Sequence, residues 1–242
     1  FSNMETIHIA AYALLLETIG MPDSEFSAFL EYEALKAKHD YMQQFGVDTD
    51  ADIARTVAMF GGFTEGLQLF GSFAMLMNFP RANKMKGMGQ IVSWSVRDES
   101  LHCEAMMKLY HQFAEETGCV TKSVQDDIID CCKTVVGLED KFIDLAFEMG
   151  PVQGMTAQDI KNYIRFIADW RLEQLKLPKV YGIKEHPLPW LQPLLSGVEH
   201  ANFFEARATE YAKGATKGDW TGEEGVWANF DKMMEQRKAA AG

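Results

Sequence analysis

Apolar residues recur along most of the chain at the three- and four-residue spacings of helices, whereas the two-residue alternation of strands is almost absent. A first apolar stripe is already under way at Phe1 and runs to about Gly20. In chain order, the pattern predicts helices over about 1–20, 24–45, 50–78, 90–117, 121–150, 156–175 and 198–213. We therefore predict an all-α fold.

Breaks in this pattern divide the chain. A basic, glycine-containing loop is predicted over 80–89, and a proline-rich ordered connection over 176–196. We expect one large helical domain over 1–215 and a C-terminal extension over 216–242.

Composition narrows the classes of function. The formal net charge of the 242 residues is −12, without a basic run, which argues against nucleic-acid binding. The four cysteines lack zinc-site spacing and suit a reduced, cytoplasmic chain. The longest apolar stretch, 59–79, contains several glycines and Glu65, which favours a core helix over a membrane span.

Two Glu-x-x-His sequences carry the chemistry. Glu5 and His8 are three residues apart on one predicted helix, and Glu99 and His102 on another. Residues i and i+3 lie on one helix face, so each pair directs a carboxylate and an imidazole to one place. Two such pairs, with single glutamates from two other helices, form the site of ferritin-like di-metal proteins. One copy alone is as well explained by a core histidine bonded to a nearby glutamate.

Glu65 is the only acid between Ala58 and Arg81, within an apolar, glycine-rich stretch. A charged residue in such a helix can turn towards solvent. Gly61, Gly62 and Gly66 instead indicate close approach to another helix, which favours Glu65 as a bridging or terminal metal ligand.

Tyr12 and Asp98 lie next to the two pairs. Tyr12 follows His8 by four residues, so its phenol is predicted beside the metal ligand, although aromatic residues on helix stripes are mostly core. Asp98 is either a surface acid or a partner that orients a ligand histidine through its other ring nitrogen, and Arg97 is its candidate counter-charge.

Taken together, Glu-x-x-His-x-x-x-Tyr, an isolated Glu and Arg-Asp-Glu-x-x-His resemble the radical-bearing β (small) subunit of class I ribonucleotide reductase. The 34-residue spacing from Glu65 to Glu99 and the stretches 71–74, 163–169 and 202–207 are similar to that family as well. The resemblance covers most of residues 1–215.

The resemblance implies a ferritin-like bundle with additional helices and two bound metal ions, iron being favoured and manganese the alternative. It implies that the centre reacts with oxygen and oxidises a neighbouring tyrosine to a stable radical. This radical would pass to a large subunit that reduces ribonucleotides. The small subunit is expected to be a homodimer. By the resemblance, Tyr12 matches the radical residue, Asp98 matches the acid that links a metal-bound histidine to radical transfer, and Phe73 matches a residue of the pocket around the radical. The positions that match metal ligands are Glu5, His8, Glu65, Glu99 and His102.

Some positions depart from the family pattern. Leu69 and Ser95 stand where many relatives carry bulkier apolar residues. The family has a sixth ligand and a relay tryptophan before the first Glu-x-x-His, and a docking tail at its end. We expect the natural protein to continue upstream of Phe1 and to supply another Asp or Glu. A di-metal oxidase without a radical partner and an inactive helical scaffold are the alternative functions.

Overall fold

The structure, a computed structural model, describes residues 2–22, 24 and 31–192. Within these residues the chain is helical apart from turns, connections and an isolated antiparallel bridge between Val152 and Met155. The α-helices are α1 (Ser2–Thr18), α2 (Glu33–Met42), α3 (Asp50–Val57), α4 (Leu69–Arg81), α5 (Lys86–Thr117), α6 (Lys122–Ala146) and α7 (Ala157–Gln174). A π-helical segment, Ala58–Gln68, joins α3 to α4. The all-α prediction is confirmed for this part of the chain.

Two helix starts follow directly from local sequence. The Thr49 side chain accepts a hydrogen bond from the Asp52 amide, and the Asp52 carboxylate accepts one from the Thr49 amide. Thr156 and Asp159 form the same reciprocal capping box before α7. Each box satisfies amide groups that a helix N-terminus leaves without helical partners.

Some predicted boundaries are wrong. The loop predicted over 80–89 is shorter, because α4 runs to Arg81 and α5 begins at Lys86. Gly89 allows this tight connection: a side chain there would overlap the Pro80 ring. Helix α6 ends at Ala146 rather than near residue 150. Of the predicted 24–45 helix, the described residues are helical only over Glu33–Met42, which is α2. Residues 25–30, the predicted 198–213 helix and the 216–242 extension lie outside the described residues.

Helix α5 is the element around which the site is arranged. It packs along the π-helical segment, α4 and α3, while α6 and α7 pack on each other and on the π-helical segment. Helix α1 packs mainly against α5 and has no buried residue. The site is therefore formed between a buried helix and a more exposed one.

None of the helices described over 2–22, 24 and 31–192 combines the length and apolar character needed to cross a bilayer.

Candidate metal centre

Helices α1 and α5 run antiparallel, and three contacts along them fix their register. Met4 Sδ lies 3.3 Å from His102 Nε2. One turn further along α1, His8 Nε2 lies 3.3 Å from Asp98 Oδ2. After another turn, the Tyr12 hydroxyl lies 3.0 Å from Ser95 Oγ. Residue numbers that increase along α1 therefore pair with residue numbers that decrease along α5. This register brings the two Glu-x-x-His sequences together.

The two imidazoles present the same ring nitrogen to the carboxylates. His8 Nδ1 lies 3.6 Å from Glu5 Oε2 and 3.3 Å from Glu99 Oε1. His102 Nδ1 lies 3.4 Å from Glu5 Oε1, 3.5 Å from Glu99 Oε2 and 3.3 Å from Glu65 Oε2. All five predicted ligand residues thus converge on one site.

Glu5 and Glu99 each reach both histidines, one carboxylate oxygen to each imidazole. A carboxylate placed in this way can bridge two metal ions. Glu65 approaches only His102 among the ring contacts of the described residues, which suits a terminal ligand. The His102 side thus gathers four candidate ligand residues and the His8 side three.

The site is buried on one side only. Side chains of Glu99 and His102 are 3% and 2% exposed, and those of His8 and Glu65 are 13% and 26% exposed. The Glu5 side chain is 47% exposed. The α5 residues therefore lie in the core, while Glu5 lies at the surface side of the centre.

Burial and mutual repulsion favour protonated carboxyl groups in the metal-free site. Burial, with the charge of Glu5 second, raises the pKa of Glu65 to about 7. The same causes, joined by Glu65 and Asp98, raise the pKa of Glu99 to about 8. Burial also holds the pKa of His102 below its ordinary value, so this ring is neutral near pH 7 and can offer a nitrogen lone pair to a metal.

The donor set fits metal cations. Buried oxygens of Glu5, Glu65 and Glu99 accept no hydrogen bond from any described residue. Two groups of side chains place their donor atoms within 4.8 Å of one another: Glu5, His8 and Glu99, and Glu65, Glu99 and His102. Leaving carboxylate oxygens buried without partners costs free energy, which a bound cation would offset. Imidazole and carboxylate donors suit iron and manganese.

Asp98 lies outside the ligand cluster, on the far side of His8. Its Oδ2 faces His8 Nε2, and its Oδ1 accepts hydrogen bonds from Arg97 Nε and Nη2 at 3.3 and 3.2 Å. The predicted Arg97 counter-charge is confirmed. Because His8 Nδ1 faces the carboxylates, Asp98 is placed to orient this ring through the other nitrogen.

Tyr12 occupies the end of the site nearest Ser95. The phenol donates its hydrogen bond to Ser95, and burial raises its pKa above 10 despite the opposing effect of that bond. Tyr12, like Leu69, is partly buried against the core cluster that contains Phe73. The sequence reading anticipated an apolar pocket and missed the serine hydroxyl as a partner of the phenol.

The sequence also missed the backbone form of the segment that carries Glu65. The glycines make the predicted close contacts: a Cβ at Gly61 would overlap Met106, and one at Gly66 would lie 2.7 Å from Arg171 Nε. Buried Arg171 donates a 2.8 Å hydrogen bond from Nε to the Gly66 carbonyl. Wide helical turns of this kind often occur at functional sites. The run of glycines around one acid was the available signal.

The family profile for the ribonucleotide reductase small chain matches residues 1–187. Over 239 residues, the chain is 41% identical to an Invertebrate iridescent virus 3 protein named "Probable ribonucleoside-diphosphate reductase small subunit 048L", covering 91% of this chain and 64% of the viral one. It is 28% identical to a Chlamydia pneumoniae ribonucleoside-diphosphate reductase subunit beta, covering 86% and 63% of the two chains. The chain thus spans somewhat under two thirds of these relatives.

Solved structures share the fold. The ribonucleotide reductase R2 subunit of Clostridium botulinum superposes with a TM-score of 0.74 at 19% identity, over 79% of this chain and 63% of that one. The dimanganese(II)-NrdF structure of Streptococcus sanguinis gives 0.65 at 16% identity, over 79% and 67%. The ferritin-like prediction is confirmed by this likeness. The chain belongs to the small-chain family of ribonucleotide reductase.

Proposed function

We propose that this chain acts as the radical-generating small subunit of ribonucleoside-diphosphate reductase, with Tyr12 as the radical carrier. The observation that carries the proposal is the position of this phenol. Tyr12 lies one helical turn beyond His8 on α1, and its hydroxyl contacts α5 one turn before Glu99. An oxidisable side chain thus lies beside the side chains that would hold two metal ions.

Glu5, His8, Glu65, Glu99 and His102 would hold the metal pair, with iron favoured and manganese as the alternative. When bound, the metal pair would react with oxygen and would accept an electron from the nearby phenol. Support for the ligand set comes from the five converging side chains and from one buried oxygen each of Glu5, Glu65 and Glu99 that accepts no hydrogen bond from the described residues. The printed name of the Streptococcus structure describes a manganese pair in that protein, which keeps manganese open here.

The residues around the pair have separate tasks. Glu5 and Glu99 would each help to hold both ions, because each reaches both histidines. The burial of Glu99 and His102 limits the access of water to the α5 side of the centre. Partial burial of Tyr12 against the apolar core would shield its oxidised form from external reductants.

Asp98 would connect the centre to the large subunit. Its carboxylate faces the His8 nitrogen opposite the ligand cluster and is itself held by Arg97. When the radical passes to a partner, the Tyr12 phenoxyl regains one electron and one proton, and the electron could come from the partner by way of Asp98 and His8. The partner would be the large subunit, where ribonucleotides are reduced.

We also propose a homodimer in the cytoplasm. Ile7 and Leu14, seven residues apart on one face of α1, are both strongly exposed for large apolar side chains. Covering such a face by a second copy would remove apolar surface from water. Sedimentation equilibrium of the parent and of an Ile7→Ser, Leu14→Ser variant tests this, a monomeric parent being the contrary result.

The central experiment replaces Tyr12 with phenylalanine, which removes one hydroxyl and keeps the ring. The full-length natural protein is loaded with Fe²⁺, exposed to oxygen and examined by electron paramagnetic resonance, beside a Tyr32→Phe control at an exposed position. We expect metal stoichiometry and helix content to stay constant while the tyrosyl signal and nucleotide reduction disappear only in Tyr12→Phe. A signal that survives the substitution contradicts the assignment. A parent that consumes oxygen without a radical is instead a di-metal oxidase.

A further inference from the structure

Ser95 is the polar neighbour of the Tyr12 phenol. The phenol donates a hydrogen bond to Ser95 Oγ at 3.0 Å, and the serine hydroxyl donates in turn to the Ile91 carbonyl at 3.1 Å. Ser95 is buried within α5, and Tyr12 is partly buried. The three groups form a short chain of hydrogen bonds that begins at the phenol and ends on the helix backbone.

The serine hydroxyl has the capacity to reverse this chain. A hydroxyl carries one donor hydrogen and two acceptor lone pairs, and its hydrogen rotates to suit its neighbours. Bonding to the carbonyl four residues earlier is a common way for a serine inside a helix to use that hydrogen. The Ile91 carbonyl lies inside α5, where it also accepts the helical amide of Ser95. The hydroxyl can therefore turn away and leave this carbonyl with a partner.

Oxidation of Tyr12 creates the demand for such a reversal. Tyr12 would lose one electron and one proton to dioxygen, and the Fe²⁺ pair and an external electron donor would supply the other three electrons that reduce dioxygen to water. The O–H bond of the phenol is broken, so the phenoxyl oxygen is left only as an acceptor. The phenol proton does not stay on Ser95, because a serine hydroxyl cannot hold a second proton. Ser95 therefore changes its hydrogen-bonding role without changing its charge.

We propose that Ser95 is a positioning residue for the Tyr12 radical, accepting a hydrogen bond from the phenol before oxidation and donating one to the phenoxyl oxygen after it. The inference rests on the proposed radical function of Tyr12. It assigns a specific task to a hydroxyl in a position where the family resemblance leads one to expect a bulkier apolar side chain. An alanine in its place would leave the phenoxyl oxygen without this donor.

The test is high-field electron paramagnetic resonance of the oxygen-treated, Fe²⁺-loaded full-length protein, with pulsed electron–nuclear double resonance in D₂O. A hydrogen bond to a phenoxyl oxygen lowers the largest principal g value of a tyrosyl radical and adds an exchangeable deuteron coupling. Four proteins are compared: the parent, Ser95→Ala, Ser95→Thr and Ser93→Ala. Ser93 is the matched control because it is a buried serine of the same helix.

We expect the low g value and the deuteron coupling in the parent, in Ser95→Thr and in Ser93→Ala. In Ser95→Ala the g value should rise and the coupling should disappear, while metal stoichiometry stays constant. Equal g values and couplings in the parent and Ser95→Ala would overturn this inference and leave the proposed function standing. A parent without any tyrosyl signal would overturn both.

Discussion

His8 Nε2 and Asp98 Oδ2 lie 3.3 Å apart, while Nδ1 of the same imidazole faces the carboxylates of Glu5 and Glu99. The two nitrogens of one ring thus serve different purposes. A carboxylate behind a ligand histidine fixes the ring orientation and makes the ligand nitrogen more basic. This arrangement ties the histidine to the ion pair of Asp98 and Arg97.

Replacing Asp98 with asparagine should weaken metal binding without removing a ligand. Loss of the carboxylate behind a metal-bound histidine typically costs about 10–100-fold in affinity. Competition with a chelator, using Mn²⁺ in the reduced protein, measures the change. Asp130→Asn is the control, since Asp130 is an exposed acid of α6 paired with Lys133. An affinity equal to that of the control would contradict the role of Asp98.

Replacing Glu99 with glutamine should have a larger effect than any other single ligand change. Glu99 faces both histidines with separate oxygens, as Glu5 does, but its side chain is 3% exposed against 47% for Glu5, so water can less easily replace the charged donor that the substitution removes from both metal positions. We expect the stoichiometry to fall well below two ions per chain in inductively coupled plasma analysis of the purified protein. Glu104→Gln controls for charge, because Glu104 is exposed and pairs with Lys108. Two tightly held ions in Glu99→Gln would rule out a bridging role.

Metal affinity should rise as the pH increases through about 7 to 8. The pKa values of Glu65 and Glu99 are raised to about 7 and about 8 by burial and by nearby carboxylates, so both groups hold protons below these values. A cation must displace these protons. Titration calorimetry in buffers of different ionisation enthalpy should therefore find proton release that decreases as the pH approaches about 9.

The stability of the metal-free protein should change in the opposite sense. A carboxyl group whose folded pKa is raised binds more protons folded than unfolded, so its contribution is present at low pH and is lost as the pH rises through the folded value. Without metal, denaturant midpoints should decrease between about pH 6 and pH 9. In Glu65→Gln the decrease should be smaller, and a decrease equal to the parent's would assign the effect to other groups.

Much of this site was predictable because it depends on short-range spacing. The i, i+3 separation places Glu99 and His102 on one face of α5 whatever the rest of the fold does. Thr49 and Thr156 are N-cap residues, and their capping boxes mark the starts of α3 and α7 by local sequence in the same way. Spacing alone did not decide the partner of Asp98. Asp98 is next to Glu99 and so lies on another face of α5, and what that face contacts depends on where α1 packs.

Features that depend on two elements at once escaped the sequence. The Tyr12 to Ser95 bond requires the antiparallel register of α1 and α5, although both residues lie one turn from a ligand. The π-helical segment around Glu65 is hydrogen-bonded by Arg171, more than one hundred residues away, which donates to the Gly66 carbonyl. Long-range partners of this kind leave no periodic signal in the chain.

The final prediction concerns Gly66, which follows the proposed ligand Glu65. A Cβ atom there would lie 2.7 Å from Arg171 Nε and 3.0 Å from the Gly61 carbonyl oxygen, so Gly66→Ala forces the π-helical segment or Arg171 to move. We expect a loss of about 1–3 kcal/mol in the free energy of unfolding, together with weaker metal binding because Glu65 is displaced.

Gly137 provides the matched control, because it also lies inside a helix but faces open space. Gly137→Ala should stabilise the protein by about 0.5–1 kcal/mol, since alanine restricts the unfolded chain more than glycine does. Urea unfolding of the metal-free proteins measures both changes, and chelator competition measures the Mn²⁺ affinity. If Gly66→Ala were as stable and as tightly metal-bound as the Gly137 variant, the close packing of Arg171 would have no part in placing Glu65.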